Sequence, residues 1–300
     1  MRIACLGLGR MGFHIAGHLA SRDGSDDVVV FDVVEELCQD WVVEHGGTAA
    51  DSVAAAVTEA SLIVTSLPSD RELDAVSAEL VPLIADQAVW VDHSTTSARI
   101  ARQTEGRVSV AGAHFLDAPV SGGVDGARRG ALTVMVGGEY GAFARAEPLI
   151  GAYASQVRHM GPSGAGQLTK MTNQICVVGL CQALAEGLDF AARSGLDVEN
   201  VVQAMLQGSS TSWQMENRAD KMHEGEYDFG FSTTLMRKDI GLVLDEASAL
   251  GVSLPVTALV GQFLADVDAM GGASWDWCSL MERQRHFGSA SPTTDRQIES

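Results

Sequence analysis

Lysine is nearly missing from this 300-residue chain: Lys170, Lys221 and Lys238 are the only three among 20 basic residues. Positive charge as a whole is scarce, since 39 acidic residues leave a formal net charge of -19. Nucleic acid and anionic membranes reward basic patches, so this balance argues against both as partners. A small anionic substrate is compatible with this balance, because it responds to the field inside its own cleft. Cysteine is sparse too: Cys5, Cys38, Cys176, Cys181 and Cys278 are scattered and form no CxxC pair. That pattern is neither a disulfide framework nor a zinc site, and it points to a reducing cytoplasm. No signal-like segment precedes the first strand-like run. The uncharged run Met171–Ala185 is shorter than the ~20 residues a bilayer needs. It also carries Thr172, Asn173, Gln174 and Gln182, so it reads as a buried core helix. There is no HExxH, no EF-hand loop and no internal repeat, and no metal is expected.

What remains is an ordinary globular composition, 46% apolar and 20% charged, in a chain long enough for about two domains. The apolar run Arg2–Leu8 breaks into GLGRMG, where Gly7, Gly9 and Gly12 fit G-x-G-x-x-G and a helix-like pattern follows. The run Val28–Asp32 then reads as a second buried strand ending in an acid. Asp32 follows Gly12 by about 20 residues, where a dinucleotide-binding unit places the carboxylate that meets the adenosine ribose. Strand, glycine triplet, helix, strand and spaced acid together predict dinucleotide binding through Gly7, Leu8, Gly9, Arg10, Met11, Gly12 and Asp32. A carboxylate at that position repels a 2'-phosphate, which favours NAD over NADP, although Arg10 and Arg22 act the other way.

The alternation continues with a helix expected over 49–60, a strand over 61–68, a helix over 71–83 and a strand over 88–96. Strands separated by such helices imply right-handed crossovers and a mostly parallel, doubly wound sheet. Ligands sit beyond the carboxyl ends of its strands, which brings Leu67, Pro68, His93, Ser94 and Thr95 beside the cofactor. His93 reads as a hydrogen-bonded neighbour, and His14 and His18 as surface residues. Ser121-Gly122-Gly123 offers a hydroxyl and unobstructed backbone N–H groups, a concavity suited to a carboxylate. Arg128 and Arg129 read as a solvated face.

After Met160 helical patterns take over. Leu168, Met171, Ile175 and Val178 form one apolar stripe; Val177, Cys181 and Leu184 form a second, so this helix is expected to be buried on both sides. Lys170 and Asn173 lie three apart near its start, and that spacing puts both on one face. Arginine replaces lysine as a surface charge but not as a proton donor and acceptor, because guanidinium stays protonated. A lysine kept in so arginine-biased a chain points to chemistry. The expected organisation is a Rossmann-type domain over 1–162, an all-helical domain over 163–288 and a loose tail over 289–300.

With GLGRMG, DAPVSGG, GAGQLTKMTNQ and LMRKDIGLVL in order, the chain resembles the beta-hydroxyacid dehydrogenases from Gly7 to about Pro255. The resemblance implies a Rossmann domain followed by an all-helical one, with assembly into homodimers or homotetramers. Carried over position by position, it makes Lys170 the catalytic lysine and Asn173 the residue that orients the substrate. It places the substrate carboxylate at Ser121, Gly122 and Gly123, and puts Gly7–Gly12, Leu67, Pro68, Thr95 and Lys238 around the dinucleotide. Many relatives carry two asparagines after the lysine, whereas this chain has Asn173-Gln174, as in the tartronate semialdehyde reductase branch.

The implied reaction interconverts a small 3-hydroxy acid and its semialdehyde. Nicotinamide carries the hydride, and the protein supplies an acid/base and an anchor. A free lysine, with a pKa of ~10.4, is a poor base at neutral pH, and burial or nearby positive charge lowers it. Trp213, Met215, Phe231 and Val120 are the expected walls of the substituent pocket, and such apolar walls favour 3-hydroxyisobutyrate. Tartronate semialdehyde, succinic semialdehyde and L-serine are the alternatives. 6-Phosphogluconate dehydrogenases are much longer, imine reductases usually lack this lysine, and a non-catalytic module would have no need of Lys170 with Asn173.

Overall fold

The computed structural model describes residues 1–22 and 26–288, and the tail expected over 289–300 lies outside the described residues. The chain divides into two compact units, Met1–Asn173 and Gln174–Ser300, and the division falls inside a helix.

The first unit alternates strands and helices. In chain order these are β1 (Arg2–Leu6), α1 (Gly12–Ala20), β2 (Asp27–Phe31), α2 (Glu35–His45), β3 (Thr48–Ala49) and α3 (Val53–Val57). They continue with β4 (Leu62–Thr65), α4 (Asp70–Leu80), β5 (Val89–Asp92), α5 (Ala98–Val110) and β6 (His114–Asp117). The unit closes with β7 (Val120–Ser121), α6 (Gly123–Arg128), β8 (Leu132–Gly138), α7 (Tyr140–Ile150), β9 (Ala154–Gly161) and the start of α8 (Ala165–Arg193). The strands form one sheet in the order β3-β2-β1-β4-β5-β6-β8-β7, with β9 on β8. All neighbours from β3 to β6 are parallel, and β8 runs antiparallel to β6 and β7.

Side chains alternate across a strand. Ile3, Cys5, Val28, Val30, Leu62, Val64, Val89 and Val91 therefore join one apolar core. Ala4, Leu6, Val29, Ile63, Trp90 and Phe115 join a second on the opposite face. Burial on both faces is why these strands read as continuous apolar runs.

Two helices are shorter than the sequence suggests. Residues 48 and 49 pair with β2 as a strand, and Ser52 caps the helix by accepting from Ala55 N, so the alanine-rich helix is confined to α3. The helix expected to reach 83 ends as α4 at Leu80 and tightens into a 3-10 turn, Val81–Leu83, at Pro82.

The second unit contains the rest of α8, then α9 (Val198–Leu206), α10 (Trp213–Glu224), α11 (Thr233–Leu250), α12 (Pro255–Val267) and α13 (Leu280–Gly288). Val178, Cys181, Leu184, Ala185 and Leu188 of α8 pack with Met215, Met222, Met236, Ile240, Leu264 and Met281. By length and apolarity alone α8 would suit a bilayer; here those residues build the core of the helical unit. Burial is less complete than expected: Leu180 and Phe190 are 39% and 73% exposed. Of the expected pocket walls, Met215 is buried and Phe231 packs on this same core, whereas Trp213 is exposed with the Arg218 guanidinium over its ring. Val120 packs on the sheet core of the first unit.

Candidate active site

Strand register assembles the site edge. Leu6 pairs with Phe31 and with Thr65, Thr65 with Asp92, and Asp92 with Asp117. The segments after these five residues therefore leave the sheet together at its carboxyl edge. Strand order reverses between β1 and β4, which makes the opening there the ligand crevice of a doubly wound sheet.

The glycine loop crosses this opening. A Cβ on Gly7 would lie 2.4 Å from Ser66 O, and one on Gly12 would lie 1.9 Å from Gly7 O. Backbone proximity thus demands both glycines. Gly9 differs, because a Cβ there would meet nothing within 4 Å. The fold leaves that space, and a ligand can use it. The N-terminus of α1 receives no side-chain cap from Met11, and Phe13 N in its first turn donates to Gly9 O of the same loop at 3.1 Å. An uncapped helix start beside bare backbone fits a dinucleotide pyrophosphate. Leu8 is buried and Met11 packs on the core, whereas Arg10 is exposed.

Asp32 braces the loop: its Oδ2 accepts from Leu8 N at 2.6 Å and its Oδ1 from Val34 N at 2.9 Å. Each carboxylate oxygen keeps a lone pair for a ribose hydroxyl. Arg22 is paired with Asp26 at 2.8 Å.

A buried polar cluster holds the β4 and β5 ends. Asp92 Oδ1 accepts from Thr65 Oγ1 at 2.6 Å and from Ser94 Oγ at 2.5 Å. Trp90 Nε1 donates to Thr65 Oγ1, and Leu67 N donates to Ser94 Oγ at 2.8 Å. Burial pushes the Asp92 carboxyl up to about 7, against the lowering effect of its Ser94 and Thr65 hydrogen bonds. Pro68 and Thr95 follow these anchored residues at the edge. His93 is the hydrogen-bonded neighbour expected: Nδ1 meets Ala118 O and Nε2 meets Tyr153 OH, and burial lowers it to about 4. His18 departs from the surface reading, because it is half-buried with Nε2 2.8 Å from Ala127 O.

Beyond β6 the chain passes Ser121 to Gly122 and Gly123, both with positive φ, at the start of α6. Gly122 supplies no side-chain cap, and a Cβ on Gly123 would meet nothing within 4 Å. Arg128 and Arg129 are exposed as expected.

The start of α8 is pinned by Asp117, whose Oδ1 accepts from Gly164 N at 2.7 Å and Oδ2 from Gln167 N at 2.9 Å. This carboxylate takes the place of an N-cap. Burial raises Asp117 to about 6, although those backbone N–H groups oppose the rise. Gly166 lets the helix come this close, since a Cβ there would lie 2.4 Å from both Asp117 O and Met135 O. Gln167 Oε1 accepts from Thr96 N at 3.1 Å while its Nε2 donates to Ser94 O at 2.8 Å. Lys170, buried at 9% exposure, and half-buried Asn173 follow at three-residue steps on the same helix.

In the helical unit Gln174 Nε2 donates to Asp239 Oδ2 at 2.7 Å, and Lys238 Nζ lies 3.2 Å from Asp239 Oδ1. The glutamine that replaces a second asparagine therefore joins α8 to α11. The sequence reading missed Asp92, Asp117 and Gln167; acids ending the strand-like runs VWVD and HFLD were the available signal.

A mostly parallel sheet with an open glycine loop at its reversal point, followed by a lysine-bearing helix and a helical unit, defines an NAD(P)-dependent oxidoreductase. Residues 2–161 match the NAD-binding domain of 6-phosphogluconate dehydrogenase, and residues 164–283 match the domain described as NAD-binding of NADP-dependent 3-hydroxyisobutyrate dehydrogenase. An uncharacterised oxidoreductase of Shewanella frigidimarina is 45% identical over 94% of this chain and 97% of its own. The 2-hydroxy-3-oxopropionate reductase of Escherichia coli is 32% identical over 94% of this chain and 96% of its own. The structure of Mycobacterium tuberculosis 3-hydroxyisobutyrate dehydrogenase with L-serine superposes with a TM-score of 0.87 at 28% identity, covering 95% and 99% of the two chains. The chain belongs to the beta-hydroxyacid dehydrogenase family.

Proposed function

We propose that this chain interconverts a small 3-hydroxy acid and its semialdehyde, with Lys170 as general acid/base. The observation that carries the reading is a buried lysine placed just beyond Gln167, whose amide bonds the backbone of Ser94 and Thr96 at the cofactor edge. Bound NAD(P) supplies or accepts the hydride. In reduction the Lys170 ammonium polarises the carbonyl and protonates the developing alkoxide, and in oxidation the neutral amine takes the hydroxyl proton. Ser121 and the backbone at Gly122-Gly123 hold the substrate carboxylate, and Asn173 orients the reacting oxygen.

Among substrates, 3-hydroxyisobutyrate leads, ahead of tartronate semialdehyde, succinic semialdehyde and L-serine. The Asn173-Gln174 pair carries little weight for the tartronate reading, because Gln174 is engaged with Asp239. Asp32 favours NAD over NADP, with exposed Arg10 as the opposing charge, and Lys238 joins the cofactor contacts of the loaded enzyme. The protein is cytoplasmic in this reading, in keeping with five unpaired cysteines, and forms a homodimer or homotetramer through apolar residues such as Leu180 and Phe190. Neither nucleic acid nor membrane is a partner.

Lys170→Ala tests the assignment. Turnover should fall by roughly a thousandfold or more with NADH affinity nearly unchanged, within the range seen for lost acid–base catalysis. Steady-state assays over a panel of 3- and 4-hydroxy acids and their semialdehydes, with NADH fluorescence titration, read both quantities. A variant as active as the parent would overturn the role of Lys170.

A further inference from the structure

A buried chain of hydrogen bonds runs through the first unit and includes Gln167, one turn before the lysine. It begins at Asp92, which holds Ser94 through the serine hydroxyl, and Ser94 Oγ in turn accepts from Leu67 N. The next link is Gln167, fully buried, whose amide reads both sides of residue 95: it donates to Ser94 O and accepts from Thr96 N. A primary amide does both with one end group. The backbone N–H of the same residue donates to Asp117 Oδ2. Gln167 therefore belongs to three structures at once: the segment around Thr95, the β6 end and the first turn of α8. On a helix, residues 167 and 170 share a face, so whatever displaces the first displaces the second.

We infer that Gln167 is the positioning residue that registers Lys170 against the segments bearing Leu67 and Thr95; this rests on Lys170 being the acid/base. The Leu67 segment does not depend on the amide for its own shape. Ser94 stays tied to Asp92, and Leu67 to Ser94, when Gln167 is removed. Loss of the amide consequently falls on the lysine's placement more than on cofactor affinity. Reacting groups misplaced by about 1 Å lose up to ~100-fold in rate, so the effect reads in kcat.

Two variants test this. Gln167→Met keeps the volume and removes both amide bonds; kcat should fall about tenfold or more, with the NADH dissociation constant within about threefold of the parent. In Gln167→Glu the protonated carboxyl reproduces the pattern, with its O–H donating to Ser94 O and its carbonyl accepting from Thr96 N. Burial, with the Asp117 carboxyl at the residue's own backbone N–H, keeps that proton on at low pH. Gln167→Glu should therefore approach the parent's kcat at low pH and lose it as pH rises, with a limb absent from a parent profile measured alongside. This limb decides the matter if Gln167→Met does not fold. Parent-like kcat in the variants with only a lowered melting temperature would overturn the inference, and so would a loss confined to NADH affinity. In either case an inactive Lys170→Ala would leave the acid/base reading standing. An active Lys170→Ala would remove both.

Discussion

The two parts of α8 are held by different physics. Up to Asn173 the helix is fastened by directed bonds, with Asp117 on the N–H groups of Gly164 and Gln167 and the Gln167 amide on Ser94 and Thr96. From Gln174 onward it is fastened mainly by burial, through Val178, Cys181, Leu184, Ala185 and Leu188. Hydrogen bonds have narrow geometric tolerance, whereas apolar contact is non-directional and tolerates sliding. The polar part therefore suits a residue whose reacting atom must be placed closely, and the apolar part suits a domain core. Each region should fail in its own way when cut.

The largest effect is expected in the apolar part. Leu188 is 1% exposed within the helical core. Leu188→Ala should cost about 2–5 kcal/mol in stability while leaving kcat unchanged below the melting transition, as denaturant titration and assay would read. A large loss of kcat in a folded Leu188→Ala would break the comparison.

A smaller, pH-dependent effect is expected at the other end. Folded Asp117 titrates at about 6 against an ordinary 3.8, so the native state holds a proton that the unfolded chain has released. Its contribution is complete below pH 3.8 and is lost as pH rises through about 6. The stability of the parent relative to Asp117→Asn should fall between pH 4 and 6.5 by no more than ~3 kcal/mol and then level off. Referencing to the variant matters, because buried His93, lowered to about 4, gives a slope of opposite sign over the same interval. A flat difference would mean that Asp117 is not pushed up by burial.

The same division explains what could be read from the chain. The glycine loop, Asp32 and the Lys170–Asn173 spacing are local patterns: the loop opens α1 and the lysine pair lies on α8 as expected, while Asp32 lies one residue past the end of β2. Gln167 could not be read, because its partners Thr96 and Ser94 lie 71 and 73 residues away. Gln174 with Asp239 is similar, at a separation of 65. Periodicity marks α8 as apolar on two sides but carries no information on which residues other helices cover, so it gives no sign that Leu180 and Phe190 are exposed. The shortened α3 is tertiary override: alanine-rich residues favour helix, but pairing with β2 takes residues 48 and 49 into the sheet.

The smallest expected effect also separates chemistry from architecture within a single motif. Gly9 and Gly12 look equivalent in G-x-G-x-x-G, yet an added methyl meets nothing within 4 Å at Gly9 and lies 1.9 Å from Gly7 O at Gly12. Gly9→Ala should leave the melting temperature where it is and weaken NADH binding by roughly tenfold, or ~1.4 kcal/mol, because the methyl occupies the space a pyrophosphate uses. Gly12→Ala should lower the melting temperature as well, since backbone must move to admit it. Thermal melts and NADH titrations on the pair decide the point. If Gly9→Ala binds NADH as the parent does, the open space at that position is not where the phosphates lie, and the loop's role in binding rests on the α1 N-terminus alone.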